Sequence, residues 1–127
     1  MKITPVLFVE KIEPAIPFWV DRLGFEKTVE VPDGDRLAFI ILQKDDAELM
    51  FQTRESVEKD VPQLAHYATP RAGTYIEVED FDDLLKRVDG VEVVLAERTT
   101  FYGMREIHVR EPGGNIICFA AKSLAAG

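Results

Sequence analysis

The stretch TFYGMREIHVREPGGNIICFAA, residues 100–121, decides how this chain folds. It reads as a β-hairpin, with one strand over 104–110, a turn made by Glu111-Pro112-Gly113-Gly114-Asn115, and a second strand over 116–121. Proline has no N–H to give to a ladder, and the two glycines admit positive φ, so the turn has a physical basis. The second strand, IICFAA, is apolar at every position, which predicts burial on both faces. One face then packs on a helix. The other faces an enclosed space, and a binding pocket is the candidate.

Outward from the hairpin, one order of elements occurs twice. A buried strand is predicted over 3–9. A helix follows with Pro14 near its first position, where a missing N–H costs little. Ile16, Trp19, Val20 and Leu23 recur there at helical spacing, and Gly24 ends the helix. Strands over 25–31, 36–43 and 47–52 come next, separated by turns at 32–35 and 44–46. The second pass has a strand over 74–79, then a helix capped by Asp80. Phe81, Leu84, Leu85 and Val88 share one face of that helix. Strands over 91–97, 104–110 and 116–121 complete it. The expectation is an α+β fold of two βαβββ modules, forming curved half-sheets around a cleft. Module one spans 1–53, the connector 54–72 and module two 73–122, within one domain of 1–127. The connector is polar, carries Pro62 and Pro70, and is expected to hold one helical turn at 56–59. Connectors this long are usually functional or mobile.

Composition excludes several function classes. The 127 residues suffice for one domain with a real core. A net charge of −8 argues against a nucleic-acid partner, which needs a basic stripe, and permits a cationic ligand. No apolar run is long enough for a membrane span. The opening MKITPVLFV lacks the pattern of a signal peptide, so a cytoplasmic location is expected. The single cysteine excludes an intrachain disulfide framework.

Two stretches carry a family resemblance. Tyr102-Gly103-Met104-Arg105-Glu106, with Val109-Arg110-Glu111-Pro112-Gly113-Gly114-Asn115, resembles the last hairpin of the glyoxalase / bleomycin-resistance / extradiol dioxygenase superfamily, the vicinal oxygen chelate proteins. Near the N-terminus, Val6-Leu7-Phe8-Val9 followed by Ile16-Pro17-Phe18-Trp19-Val20-Asp21-Arg22-Leu23-Gly24-Phe25-Glu26 resembles that family's first strand and helix, and the run FWVDRLGFEK is most similar to bleomycin-resistance proteins. The resemblance implies a fold more strongly than a reaction, since one fold hosts many functions. Metal-dependent members draw four ligands from the first and last strands of each module. Carried over by register, those positions fall on Thr4, Glu48, Gly73 and Cys118. Only Glu48 is a good ligand for a hard divalent ion, and Gly73 has no side chain, so no metal and no other cofactor is expected.

Strand alternation supplies a list of candidate ligand-binding residues. In register with the family's metal positions are Thr4, Val6 and Phe8; Glu48, Met50 and Gln52; Tyr75 and Glu77; and Cys118 and Ala120. The opposite faces, with Leu7, Val9, Leu49, Phe51, Ile76, Val78, Ile117 and Phe119, suit helix packing. Phe8, Glu48, Met50, Gln52, Tyr75, Glu77 and Cys118 are therefore the candidates, with Arg105 as an ion-pair partner for either carboxylate. Such an apolar and aromatic face with a few polar groups suits a small organic molecule. For Glu48 and Glu77, a role as cation partner or base and a role as solvated surface carboxylates stand about even. For Arg105 a structural salt bridge is the more economical role. Cys118 on an apolar strand lacks the positive field a nucleophile needs and reads as core. His66 reads as an exposed loop residue and His108 as a structural or surface one.

These readings point to a metal-free small-molecule-binding protein that sequesters a cationic aromatic compound or antibiotic. The alternatives are a divalent-metal-dependent lyase or dioxygenase of the same superfamily, or an interaction domain whose groove is filled by side chains. The family also implies a homodimer, twice the 14.4 kDa chain, with the first strand and the Phe18-Trp19 helix near the pairing surface.

Overall fold

The computed structural model describes residues 1–69 and 71–123. Pro70, expected in the connector, lies outside the described residues. The fold is α+β, with two four-stranded mixed sheets and a few short helices. The chain divides into two compact units, Met1–Ala72 and a second that begins at Gly73.

The first sheet holds β1 (Val6–Val9), β2 (Glu26–Asp33), β3 (Arg36–Lys44) and β4 (Ala47–Thr53), in the order β1-β4-β3-β2. Strands β2, β3 and β4 run as an antiparallel meander, and β1 adds parallel to β4. The first strand starts at Val6, three residues later than the sequence predicts. Strand β2 runs through Pro32, predicted as a turn. It is an edge strand with a register shift at Val31/Pro32, where a missing N–H does no harm.

The alternation read from the sequence holds in this sheet. Leu7, Val9, Leu49 and Phe51 are buried, while Phe8, Glu48, Met50 and Gln52 share the opposite, half-buried face. The buried face packs on the first helix, which is π-helical over Pro17–Arg22. Leu23 N–H donates to Phe18 C=O at 3.2 Å, one residue beyond the α-helical partner. Pro17 has no N–H for the carbonyl four residues back, and that gap admits the wider turn. Gly24 closes the helix with φ +81°, a left-handed conformation that favours glycine. Trp19 is fully buried, edge-on to Phe18, Phe25 and Phe51 at centroid distances of 5.2, 5.3 and 5.7 Å. Phe18 and Trp19 are thus core residues of this unit.

The connector is more helical than the single turn predicted. Helix α1 covers Arg54–Asp60, and a 3-10 helix follows over Pro62–Tyr67. Thr53 starts α1 by accepting the Ser56 N–H on its hydroxyl at 3.1 Å. His66 is exposed, as expected.

The second sheet repeats the plan with β5 (Gly73–Glu77), β6 (Val93–Thr99), β7 (Met104–Arg110) and β8 (Ile116–Lys122), in the order β5-β8-β7-β6. Again the first strand pairs parallel with the last. The Glu111–Asn115 turn is tied from within. Buried Glu111 accepts the Asn115 backbone N–H at 3.0 Å and its side-chain amide at 2.9 Å. Helix α2, Phe81–Arg87, packs on β8 and buries Phe81 and Leu84. Asp80 caps it, accepting the Asp83 N–H at 2.9 Å. Asp80→Ala is expected to cost about 1 kcal/mol in urea denaturation, while Asp80→Ser stays within a few tenths of wild type.

Candidate functional site

A group of polar side chains of the second unit converges on one face of its sheet. Strand period puts Glu106 and His108 on the same side of β7, opposite buried Ile107 and Val109. The hairpin register sets Glu106 across from Ala120 and His108 across from Cys118. Cys118 in turn sits beside Tyr75 of β5, and Arg98 of β6 pairs with Glu106. Tyr102 arrives from the turn between β6 and β7.

Glu106 is the centre of the group. It is only 2 % exposed, and a buried carboxylate needs partners. It has three. Its Oε2 accepts the Tyr102 hydroxyl at 2.7 Å and the Tyr75 hydroxyl at 3.1 Å. Its Oε1 has only a long contact from Arg98 Nη2, at 3.4 Å. The Tyr102 hydrogen bond holds the Glu106 carboxyl below its ordinary range against the opposing pull of burial, and Tyr75, Arg98 and His108 add to it. The carboxylate is therefore charged at neutral pH.

The partners respond in the opposite sense. Half of the Tyr75 surface is exposed, yet its hydroxyl end lies at the buried carboxylate. Loss of water there, with the hydrogen bond to Glu106, pushes its pKa up to about 12. The Tyr102 hydroxyl is raised chiefly by its bond to Glu106. Burial, reinforced by the charge of Glu106, pushes the Cys118 thiol up to about 11. Both phenols and the thiol keep their protons at neutral pH in the unliganded protein, and Cys118 is buried. His108 Nδ1 is buried without a hydrogen-bond partner among the described residues. Glu106, His108 and Cys118 bring a carboxylate oxygen, an imidazole nitrogen and a sulfur within 4.8 Å of one another.

The other sequence candidates separate. Thr4 and Glu48 meet in the first unit, where the Thr4 hydroxyl donates to Glu48 at 3.1 Å and Lys2 Nζ lies 3.1 Å away. The Gln52 amide donates to Ser56 Oγ at 3.2 Å. Glu77 is exposed, on the face that carries Tyr75. Arg105 has the structural salt-bridge role the sequence favours, but its partners are not Glu48 or Glu77. It bonds Glu97 at 2.7 Å and Asp82 at 3.1 Å, and lies over the Phe81 ring at 4.6 Å. An odd-numbered residue of β7 points to the helix side, away from Glu106.

Residues 3–119 match the model of the Glyoxalase/Bleomycin resistance protein/Dioxygenase superfamily. The chain belongs to this superfamily. Its fold is similar to that of lactoylglutathione lyase from Agrobacterium tumefaciens, with a TM-score of 0.77 at 16 % identity over 95 % of this chain and 92 % of the other. It is also similar to the bleomycin-binding protein of bleomycin-producing Streptomyces verticillus, solved with copper(II)-bleomycin. There the identity is 27 %, the TM-score 0.63, and the coverage 97 % of each chain. A glyoxalase/bleomycin resistance protein/dioxygenase from Nocardioides aligns at 17 % identity and a TM-score of 0.74, covering 98 % of this chain and 85 % of that one. A comparison with curated protein sequences returns no match.

The metal positions that the superfamily's metal-dependent members use do not fit an ion here. The Thr4 hydroxyl donates to Glu48, and Gly73 has no side chain to offer.

Sequence reasoning missed Glu106, Tyr102, Arg98 and the placement of His108. The family's metal positions lie on the first and last strands of each module, and the polar face of the inner strand β7 falls outside them. The signal was present in Met104-Arg105-Glu106-Ile107-His108-Val109, where Glu106 and His108 alternate with Ile107 and Val109. The five-residue turn then fixes which side chains oppose them on β8.

Proposed function

We propose that this protein binds a cationic, partly aromatic organic compound on the face of its second sheet, as a sequestering protein rather than a metal-dependent lyase or dioxygenase. The observation that carries this reading is the pair Tyr75 and Tyr102. Each is 53 % exposed, and both hydroxyls are anchored on the buried Glu106 carboxylate. Two ring surfaces held over a fixed negative charge attract a flat cation by stacking and by Coulomb force. Glu77, exposed on the same face, adds a second carboxylate. Glu48 is less suited, because Lys2 already lies against it. The similarity to a bleomycin-binding protein at 27 % identity supports the same ligand class.

A thermal-shift screen tests the reading. Bleomycin-like and other cationic aromatics are compared with neutral and anionic analogues, in the presence of a chelator. A binding cation at a hundredfold excess over its Kd is expected to stabilise by about 2.7 kcal/mol. Tyr75→Ala is expected to weaken it by about 1 kcal/mol, roughly fivefold in Kd. Shifts produced by anions and not by cations count against the proposal.

A further inference from the structure

We propose that Glu106, His108 and Cys118 form a zinc-binding site, which shares only Cys118 with the positions the superfamily's metal-dependent members use and draws its other two ligands from the inner strand β7. Three kinds of donor atom, carboxylate oxygen, imidazole nitrogen and sulfur, lie within 4.8 Å of one another in one patch of one sheet. Around a tetrahedral zinc, bond lengths near 2.0–2.3 Å place ligand atoms roughly 3.3–3.6 Å apart. Closing the remaining gap takes side-chain adjustments on the order of 1 Å. His108 and Cys118 are direct cross-strand partners, and Glu106 is two residues from His108 on the same face, so the backbone already holds all three in place.

Two further observations support the assignment. His108 Nδ1 is buried with no hydrogen-bond partner among the described residues, an unmet polar group at this spot. The outer partners of Glu106 are unequally shared. Both tyrosines bond Oε2, whereas Oε1 has only the 3.4 Å contact from Arg98. A carboxylate clamped on one oxygen is a metal ligand with its outer shell already built. Thiolate with imidazole and carboxylate favours zinc over magnesium or calcium, which prefer oxygen alone. On binding, the Cys118 S–H bond breaks, the thiolate takes the metal and the proton leaves to solvent. Three protein ligands leave a fourth position for water or an anionic group.

Cobalt(II), which reports thiolate ligation by a charge-transfer absorption, is titrated into the full reduced chain. Competition by zinc then gives the zinc affinity. One equivalent with a thiolate band is expected. His108→Ala and Glu106→Gln are each expected to weaken metal at least about tenfold, and Tyr102→Phe roughly tenfold through the outer shell. Glu48→Gln should leave metal binding unchanged. No thiolate band at saturating cobalt overturns the site. So does a band whose affinity survives both His108→Ala and Glu106→Gln, since the thiol then acts alone. Should Glu106→Gln fail to fold by circular dichroism, the half-buried His108, whose Nδ1 has no hydrogen-bond partner among the described residues, carries the test. The organic-cation screen contains chelator, so failure of the metal site leaves that reading standing, and the converse holds.

Discussion

Trp19→Ala is expected to cost about 3–5 kcal/mol of stability, the range for truncating a buried tryptophan. Domains of ordinary stability hold only about 5–15 kcal/mol, so the variant should be largely unfolded at modest urea. The reason is the position of the ring. It is fully buried and meets three aromatic neighbours edge-on, from its own helix, from the residue just after it and from β4. Removing it empties a space that the short π-helical turn is poorly placed to refill. Trp19→Phe keeps much of the volume and should lose far less. Urea denaturation followed by circular dichroism reads both variants. A loss under about 1 kcal/mol for Trp19→Ala would show that the helix is not anchored through this ring.

The second large effect concerns Glu106. Glu106→Gln is expected to lower stability by about 2 kcal/mol at pH 7, the scale of hydrogen bonds to a charged group. The sign of its pH dependence follows from the direction of its shift. Tyr102 and the other partners hold the folded carboxyl below its unfolded value near 4.3. Its contribution is therefore fully present above that unfolded value and is lost as pH falls through the lower folded one. Wild type and Glu106→Gln should differ at neutral pH and converge in acid. Stability curves by urea at a series of pH values measure this, and a gap that widens in acid would contradict it.

Much of the fold was legible in the sequence because it is written in short periods. The alternation of Leu7 and Val9 with Phe8, and of Leu49 and Phe51 with Glu48 and Met50, named the buried face of the first sheet correctly. The turn at Glu111–Asn115 located β7 and β8. What escaped were features set by interactions beyond the local period. The π-helical turn depends on how Pro17 disturbs hydrogen bonding inside an otherwise ordinary helical pattern. The salt-bridge role of Arg105 is legible, but not its partners, because a long side chain can reach many carboxylates. Only the register shows that Glu97 and Asp82 lie on its side of the sheet. Glu106 looked like any charged strand residue, since burial of a single carboxylate leaves no mark on composition. Its two tyrosines come from β5 and from a turn, and no sequence spacing links them.

The strand orders β1-β4-β3-β2 and β5-β8-β7-β6 also govern how the chain reaches this state. In each sheet the last three strands are hairpin neighbours that can zip up as soon as they meet. The first strand must wait for the last, across a span of 44 residues such as that between Thr4 and Glu48. Loop-closure entropy makes that parallel pairing the late and slow event in both halves. Until it happens, the edges of β4 and β8 stand open to any other extended chain. During synthesis at about 5–20 residues per second, β1 emerges before β4 and spends seconds without its partner. In each sheet the strand made first is thus the last to be secured.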